Sequence, residues 1–442
     1  MSASRTTTAV VGNCQSQSAF ESRSSLTTAD YLECEEQYAA ASLPSLPVVL
    51  RRGLGARLWD IEGKVYIDFL SAFSVVNQGH CHPRITKVMV EQCQQLTLTS
   101  RAYHNEYYPL ICKRICDLLG FDMAFPMNSG SESVDLAIKV ARKWGYNVKG
   151  IQPDEALVIT ITGNYHGKSL GPLSASDNGK IRNGYGPFLP GVGPVIDGKE
   201  VRFSNIQDLE DVFVSHGPKI AALMIEPVQG YAGCLPTHEG YLQAARNLCN
   251  KHKVLLVADE IQSGFGRTGY LMAYQKEGVK PDMVVLGKAL TGGVYTMGMV
   301  VGTREVMSQM QQGEHSSTFS GNPLACAVAL EAINVVLDEK LPQRSLELGD
   351  KLIHRLASIE CPHTTVKVTG RGLFCSFSID ESHRSGLVTA ARLTSLLRKR
   401  GVLAFSVSNR VRIAPPLMIP EEDLWAGVSI LESSLHDLIT AS

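Results

Sequence analysis

Two apolar runs of this sequence end in residues able to do covalent and acid–base chemistry. The first is Val254-Leu255-Leu256-Val257-Ala258-Asp259-Glu260-Ile261-Gln262, and the second is Met283-Val284-Val285-Leu286-Gly287-Lys288-Ala289-Leu290. Each run is continuously apolar, as expected of strands buried on both faces. Asp259 therefore ends one strand, and Lys288 lies just past another. A lysine among apolar residues loses solvation of its charged form. Its pKa falls, and the free amine becomes available as a nucleophile or Schiff-base partner. Taken alone, Lys288 is equally a strand-end lysine reaching to solvent, and Asp259 is equally a helix N-cap or loop carboxylate. A metal site at Asp259-Glu260 is weaker still, because no nearby His or Cys completes a ligand set.

As a pair on neighbouring strand ends, the two residues suit pyridoxal phosphate. The lysine forms the imine at C4′, while the aspartate pairs with the pyridine nitrogen and strengthens the ring as an electron sink. Such a group needs a phosphate site. Asn128-Ser129-Gly130-Ser131-Glu132-Ser133 precedes a helical stripe of Val134, Ala137, Ile138, Ala141 and Trp144. The amides of Gly130 and Ser131, opening that helix at its positive end, could bind a phosphate. A plain capping box of Ser129 with Glu132 explains the same residues without a ligand. Gly163-Asn164-Tyr165-His166-Gly167-Lys168 offers Tyr165 to stack on a ring, with His166 and Lys168 to meet an anion, or is a surface loop. The stretch before Pro323 is dense in small hydroxylic residues. It presents Thr318 to a phosphate or is a bland polar loop.

These residues need a scaffold that brings strand ends together. From about residue 84, helical runs alternate with short apolar runs at 156–161, 220–225, 254–258 and 283–286, and 241–252 reads as a helix. That rhythm predicts a βα-repeating sheet with ligands at the carboxyl ends of its strands. Upstream, 49–69 alternates around Gly53, Gly55 and Gly63, as short antiparallel strands do. A long helix is expected after Pro323. Strands at 372–379 and 411–414 with helices at 387–398 and 421–438 predict a smaller α+β domain.

Composition narrows the function classes. Among 442 residues, 42 Lys+Arg face 43 Asp+Glu, so there is no basic excess for a nucleic-acid backbone. With 44% hydrophobic and 19% charged residues the chain is not disordered throughout. No apolar run is long enough to span a membrane, and no secretory h-region opens the chain. The eleven cysteines are scattered without a CxxC pair, which points to free thiols in a reducing compartment. A cytoplasmic location is expected. The mitochondrial matrix is the alternative, because residues 1–30 are Ser/Thr-rich with Arg5 and Arg23 and read as a weak transit peptide or a disordered tail.

The motifs NQGHCHP (77–83), LTLTSRA (96–102), ARKWGYNVKGIQ (141–152), ADEIQSGFGRTG (258–269), LGKALTGG (286–293), GEHSSTFSGNPLA (313–325) and RIAPPL (412–417) resemble one family over roughly residues 38–440. It is the class-III, or ω-amino acid, pyridoxal-phosphate aminotransferases, and the KWGYNVKGIQ and GEH segments point to the ornithine branch. The resemblance implies an aspartate-aminotransferase-like α/β fold of type I. A tail (1–30) and an N-terminal segment (31–83) would precede a large domain (84–325) with a seven-stranded, mostly parallel sheet and a small α+β C-terminal domain (326–442). It also implies a ping-pong exchange of an amino group between a small-molecule donor, ornithine, and 2-oxoglutarate. Lys288 would carry the cofactor and shuttle the proton, and Asp259 would hold the pyridinium. Gly130 and Ser131 would hold the phosphate, Tyr165 would stack on the ring, Gln262 would contact the ring hydroxyl, and Glu226 would support the ring side. Thr318 would reach the phosphate of a neighbouring subunit, making a homodimer. Retention of both Lys288 and Asp259 argues against a non-catalytic regulatory homologue.

The substrate end departs from the branch. Lys168 stands where Arg is usual and loses the bidentate fork for a carboxylate. Phe73 stands where Tyr is usual, and Leu43 replaces another Tyr. Tyr231 occupies a position that is usually Glu, the residue that in the family pairs with and masks the matching arginine, here Arg412. The expectation is a weaker preference for the ω-amine over the α-amine. Selectivity for ornithine over N-acetylornithine or 4-aminobutyrate should weaken as well.

Overall fold

The computed structural model describes residues 26–41, 44–360, 366–381 and 388–440. Its central element is a seven-stranded sheet. The strands, in chain order, are β1 (Met123–Met127), β2 (Leu157–Ile159), β3 (Val192–Gly193), β4 (Ile220–Ile225), β5 (Leu255–Asp259), β6 (Met283–Leu286) and β7 (Gly298–Gly302). Their order across the sheet is β1-β7-β6-β5-β4-β2-β3. Strand β7 runs antiparallel to both of its neighbours, and the remaining pairings are parallel.

Continuous apolar sequence becomes two separate cores because strand side chains alternate. Ala222 and Met224 of β4 face the helix α1 (Gly130–Trp144), where Val134, Ala137, Ile138 and Ala141 pack with Val257, Val285 and Val300. Leu223 and Ile225 face the opposite side, against Tyr241, Leu242, Ala245 and Cys249 of α2 (Tyr241–His252). Burial of each such aliphatic side chain is worth roughly 1.5–3 kcal/mol, so a charge placed within β4 or β5 would disrupt both layers.

The helix α3 (Pro323–Asp338) starts at the expected proline, with Asn322 as its cap. Beyond it, β8 (Val366–Gly370), β9 (Cys375–Ile379), β10 (Phe405–Val407) and β11 (Arg410–Ile413) form an antiparallel sheet in the order β8-β9-β11-β10. In that register Arg412 lies opposite Ser376 on one side and Phe405 on the other. Two sheet strands, β4 and β6, fall on the expected residues, while 156–161 shortens to β2. The C-terminal helices run Ala390–Lys399 and Glu421–Thr440.

The chain divides into two compact units. One holds the described residues up to Arg52 together with Trp59–Val65, and the other holds Gly53–Leu58 and the described residues from Tyr66 onward. The first contains the helix Thr28–Tyr38, opened by a Thr27–Asp30 capping box, and the Thr28 hydroxyl donates to Glu62 at 2.5 Å. Every element discussed below belongs to the second unit. Among the described residues, nine cysteines are free thiols, and no helix is long and apolar enough to cross a membrane.

Candidate active site

Strand register assembles the chemistry. Ile225 of β4 and Val284 of β6 both pair with Ala258 of β5. One step further along, Glu226 and Asp259 come side by side at the carboxyl edge. Lys288 leaves β6 just beyond Val285, the partner of Asp259. The start of α1 and the 163–168 turn after β2 arrive at the same edge, the place where open α/β sheets bind ligands.

Asp259 is 3% exposed and has a fixed environment. Its Oδ2 lies 2.6 Å from Nδ1 of His166, and its Oδ1 accepts the Ile261 amide at 3.0 Å. Burial pulls the His166 imidazole down, but the hydrogen bond and charge of Asp259, with Glu226, outweigh it and hold the ring above its ordinary value. Oε1 of Glu226 accepts the Tyr165 amide at 2.9 Å. Burial, joined by the charge of Asp259, pushes Glu226 up to about 7 against the pull of His166. Burial, reinforced by Arg412, lowers the Lys288 amine to about 8, while Asp259 and Glu226 act the other way. Lys288 keeps partial solvent access and sits at φ +46°, in the left-handed region that non-glycine residues occupy mainly under constraint.

The other end of the crevice is built from backbone. Ser129 caps α1, its Oγ accepting the Glu132 amide at 3.2 Å. The reciprocal half of the expected box has slid back one residue, since the Glu132 carboxylate takes the Asn128 amide at 2.8 Å. The first intrahelical bond runs from the Ser133 amide to Ser129 O, so the amides of Gly130 and Ser131 precede it. A Cβ at Gly130 would lie 2.9 Å from Ile261 Cδ1, and one at Gly167 would lie 2.4 Å from Ser131 Oγ. Both glycines therefore permit a close approach that any side chain would fill.

Facing this edge stands Arg412, 7% exposed. Its Nε and Nη2 are buried without a hydrogen-bond partner, and no carboxylate among the described residues pairs with it. The rings of Phe374 and Phe73 lie 4.9 and 5.6 Å from its guanidinium carbon. Burial lowers its pKa. Phe73 belongs to a run of four non-glycine residues, Ser71, Ala72, Phe73 and Ser74, at φ +51°, +48°, +63° and +69°. A left-handed turn costs L-residues about 1–2 kcal/mol each, so the surrounding structure must hold it. The Phe73 ring meets Phe405 edge-on at 5.4 Å. Gln262 donates from Nε2 to the Phe73 carbonyl at 3.2 Å, and Gly230 leaves room for its Oε1. Tyr165 stacks on Tyr231, ring centroids 5.3 Å apart.

Lys288, Asp259, Glu226, Tyr165, Gln262, Tyr231, Phe73 and Arg412 are thus linked by contacts and charge at one edge of the sheet, with Gly130 and Ser131 at its helix-start end. Lys168 and Thr318 are exposed, and Leu43 lies outside the described residues. Sequence reasoning missed His166 as the partner of Asp259, 93 positions away. It also missed Phe374 and the fully buried Arg267, which donates to Leu373 O at 2.9 Å and Pro415 O at 2.6 Å, next to Phe374 and close to Arg412.

The residues present fit pyridoxal phosphate. They supply an amine of lowered pKa, a buried carboxylate with a fixed partner, an amide cradle at a helix start, and a buried Glu226 Oε2 left without a hydrogen bond.

Comparison with known proteins agrees with that geometry. The family model for aminotransferase class-III matches residues 38–435. The ornithine aminotransferase of Schizosaccharomyces pombe is 46% identical over 410 residues, covering 92% of this chain and 93% of that protein. The crystal structure of an ornithine aminotransferase from Toxoplasma gondii ME49 superposes with a TM-score of 0.90 at 36% identity, covering 96% of this chain and 99% of the other. An acetylornithine aminotransferase from Elizabethkingia anophelis does so with a TM-score of 0.82 at 40% identity, covering 93% and 100%. The chain belongs to the class-III aminotransferases, enzymes that use pyridoxal 5′-phosphate.

Proposed function

We propose that the protein is an ornithine δ-aminotransferase. It moves the δ-amino group of L-ornithine to 2-oxoglutarate, giving glutamate-5-semialdehyde and glutamate in two alternating half-reactions. The observation that carries this reading is the Lys288 amine, lowered to about 8 beside a His166-anchored Asp259 and facing an unpaired Arg412. Strong likeness to ornithine aminotransferases supports the substrate.

Pyridoxal phosphate, when bound, supplies the aldehyde that receives the amino group and the ring that delocalises the electron pair freed at the donor carbon. Lys288 is the residue that would anchor it. As a free amine, Lys288 would take up and return the proton at the donor's amine-bearing carbon. Asp259 would pair with the ring nitrogen, and His166 fixes the carboxylate's orientation. The amides of Gly130 and Ser131 would bind the phosphate. Tyr165, backed by Tyr231 and held at its amide by Glu226, would stack on the ring, and Gln262 would contact the ring hydroxyl. Arg412 receives the carboxylate of 2-oxoglutarate by paired, charge-assisted hydrogen bonds. Exposed Thr318 would complete the phosphate site of a second copy, in a homodimer located in the cytoplasm. Incubation with ornithine and 2-oxoglutarate should yield equal amounts of glutamate and glutamate-5-semialdehyde. Glutamate formed from other amines but never from ornithine rejects the proposal.

A broader donor range has its own support. Lys168 is exposed, Phe73 brings a ring without a hydroxyl, and Tyr231 engages Tyr165 instead of Arg412. The α-ammonium of ornithine then finds few polar partners, so N-acetylornithine or 4-aminobutyrate leaves little unpaired and is poorly rejected. Tyr231→Glu places a carboxylate near Arg412. It is expected to raise the kcat/KM ratio of ornithine to 4-aminobutyrate about tenfold and to suppress release of the α-oxo product. Product analysis decides: a wild type releasing only the semialdehyde, with a variant no more selective, contradicts this account.

A further inference from the structure

We propose that Asp68 is a positioning residue for the substrate carboxylate, acting through the left-handed turn Ser71–Ser74 that sets Phe73 against Arg412. The inference rests on Arg412 receiving that carboxylate.

Four successive non-glycine residues do not hold positive φ unaided, so the groups that enforce the turn control where Phe73 stands. Asp68 is 2% exposed and uses both oxygens there. Oδ1 accepts the amides of Leu70 at 2.8 Å and Ser71 at 2.9 Å, and Oδ2 lies 2.7 Å from Nε2 of His80. A carboxylate accepting two amides and an imidazole N–H makes shorter, stronger bonds than a neutral acceptor would. The turn then closes on itself, with the amides of Val75 and Val76 donating to Ser71 O.

The same short segment is tied to the strand that carries Arg412. The Ala414 amide donates to Phe69 O at 2.7 Å, the Phe69 amide donates to Leu403 O at 2.8 Å, and the Ser71 hydroxyl donates to Ala414 O at 2.5 Å. Asp68 therefore fixes one wall of the guanidinium relative to its own strand. Phe73 blocks one face of Arg412, and Nε and Nη2 remain as the donors free for a ligand. A relaxed turn would let the ring slide over those donors or leave them to water.

The test uses the holoenzyme and glutarate, a dicarboxylate that carries no amino or oxo group. Calorimetry gives its Kd, and steady-state kinetics separate KM for 2-oxoglutarate from kcat. Asp68→Ala is expected to raise both the glutarate Kd and this KM at least tenfold, with kcat within about twofold and the midpoint of the cofactor's absorbance titration unchanged. Asp68→Asn, which keeps an oxygen for the two amides, should recover to within about threefold of wild type. Ser71→Ala, a milder change if Asp68→Ala folds poorly, should raise Kd three- to fivefold. An unchanged Kd in folded Asp68→Ala and Ser71→Ala, or a parallel fall of kcat with every substrate, overturns the proposal. Arg412→Ala separates the two layers of argument. If it does not weaken glutarate, the carboxylate reading itself fails and takes this inference with it. If it does and the Asp68 and Ser71 variants do not, only the positioning role is lost.

Discussion

Lys288→Ala is expected to lower turnover by on the order of 10⁴-fold or more, because one substitution removes both the anchoring amine and the proton carrier. The variant should remain folded, since Lys288 is partly exposed and lies in a short helical turn, Lys288–Thr291, rather than in the sheet. Alanine also relieves none of the backbone demand, because φ +46° is as unfavourable for Ala as for Lys. The wild type makes a second, pH-dependent prediction with a definite sign. Burial first, then Arg412, disfavours the charged amine and brings it to about 8. At pH 8 about half of Lys288 is then neutral, against well under 1% for a solvent lysine near 10.4. The rate at which cofactor-free protein takes up an aldehyde should rise with pH through about 8 and level off above it. A rise that continues to 10 or beyond would show a solvated lysine. Retention of more than about 1% of activity in Lys288→Ala would remove the residue from the mechanism.

Residues at strand ends were legible because burial writes itself into sequence. Strands β4 and β6 are uninterrupted apolar runs, and the polar residues that follow, Glu226 and Lys288, announce a strand end. Strands β1, β3 and β7 carry no such mark. Pro126 breaks the first, the second has two residues, and the third begins and ends in glycine and runs against the parallel grain. The left-handed turn at Ser71–Ser74 was illegible for a different reason. Positive φ is signalled by Gly or Asn, and this segment contains neither. Its conformation is imposed by Asp68 and by contacts with Leu403 and Ala414, more than 300 residues along the chain. The His166–Asp259 contact likewise depends on which strands become neighbours. The sheet order puts β4 between β5 and β2, and that order is a property of the fold rather than of either motif. The unpaired state of Arg412 was foreshadowed by Tyr231, yet the stacking of Tyr231 on Tyr165, with Nε and Nη2 of Arg412 left without a hydrogen bond, is visible only in three dimensions.

Asp259→Asn should cut kcat by about 10²–10³-fold, the scale expected when one preorganised electrostatic partner of a reacting centre is lost. Asparagine keeps the shape and can still accept the Ile261 amide, so the loss is one of charge. The fall should be the same in both half-reactions and leave KM nearly untouched, because Asp259 sits at the sheet edge and contacts no substrate carboxylate in this arrangement. That pattern differs from the donor-dependent change expected of Tyr231→Glu and from the KM change expected of Asp68→Ala. A second readout needs no turnover. The charge of Asp259 is the leading influence that raises the Lys288 pKa against burial. Neutralising it must therefore lower the Lys288 titration midpoint below about 8 in cofactor-free protein, as measured by labelling with an amine-specific reagent across pH. His166 loses its main stabilising partner in the same variant and should drop below its wild-type value, since burial then acts almost unopposed. A Lys288 midpoint that stays put, or a kcat within tenfold of wild type, would mean that Asp259 serves only to seat His166. The electrostatic partner of the ring would then have to be sought in Glu226.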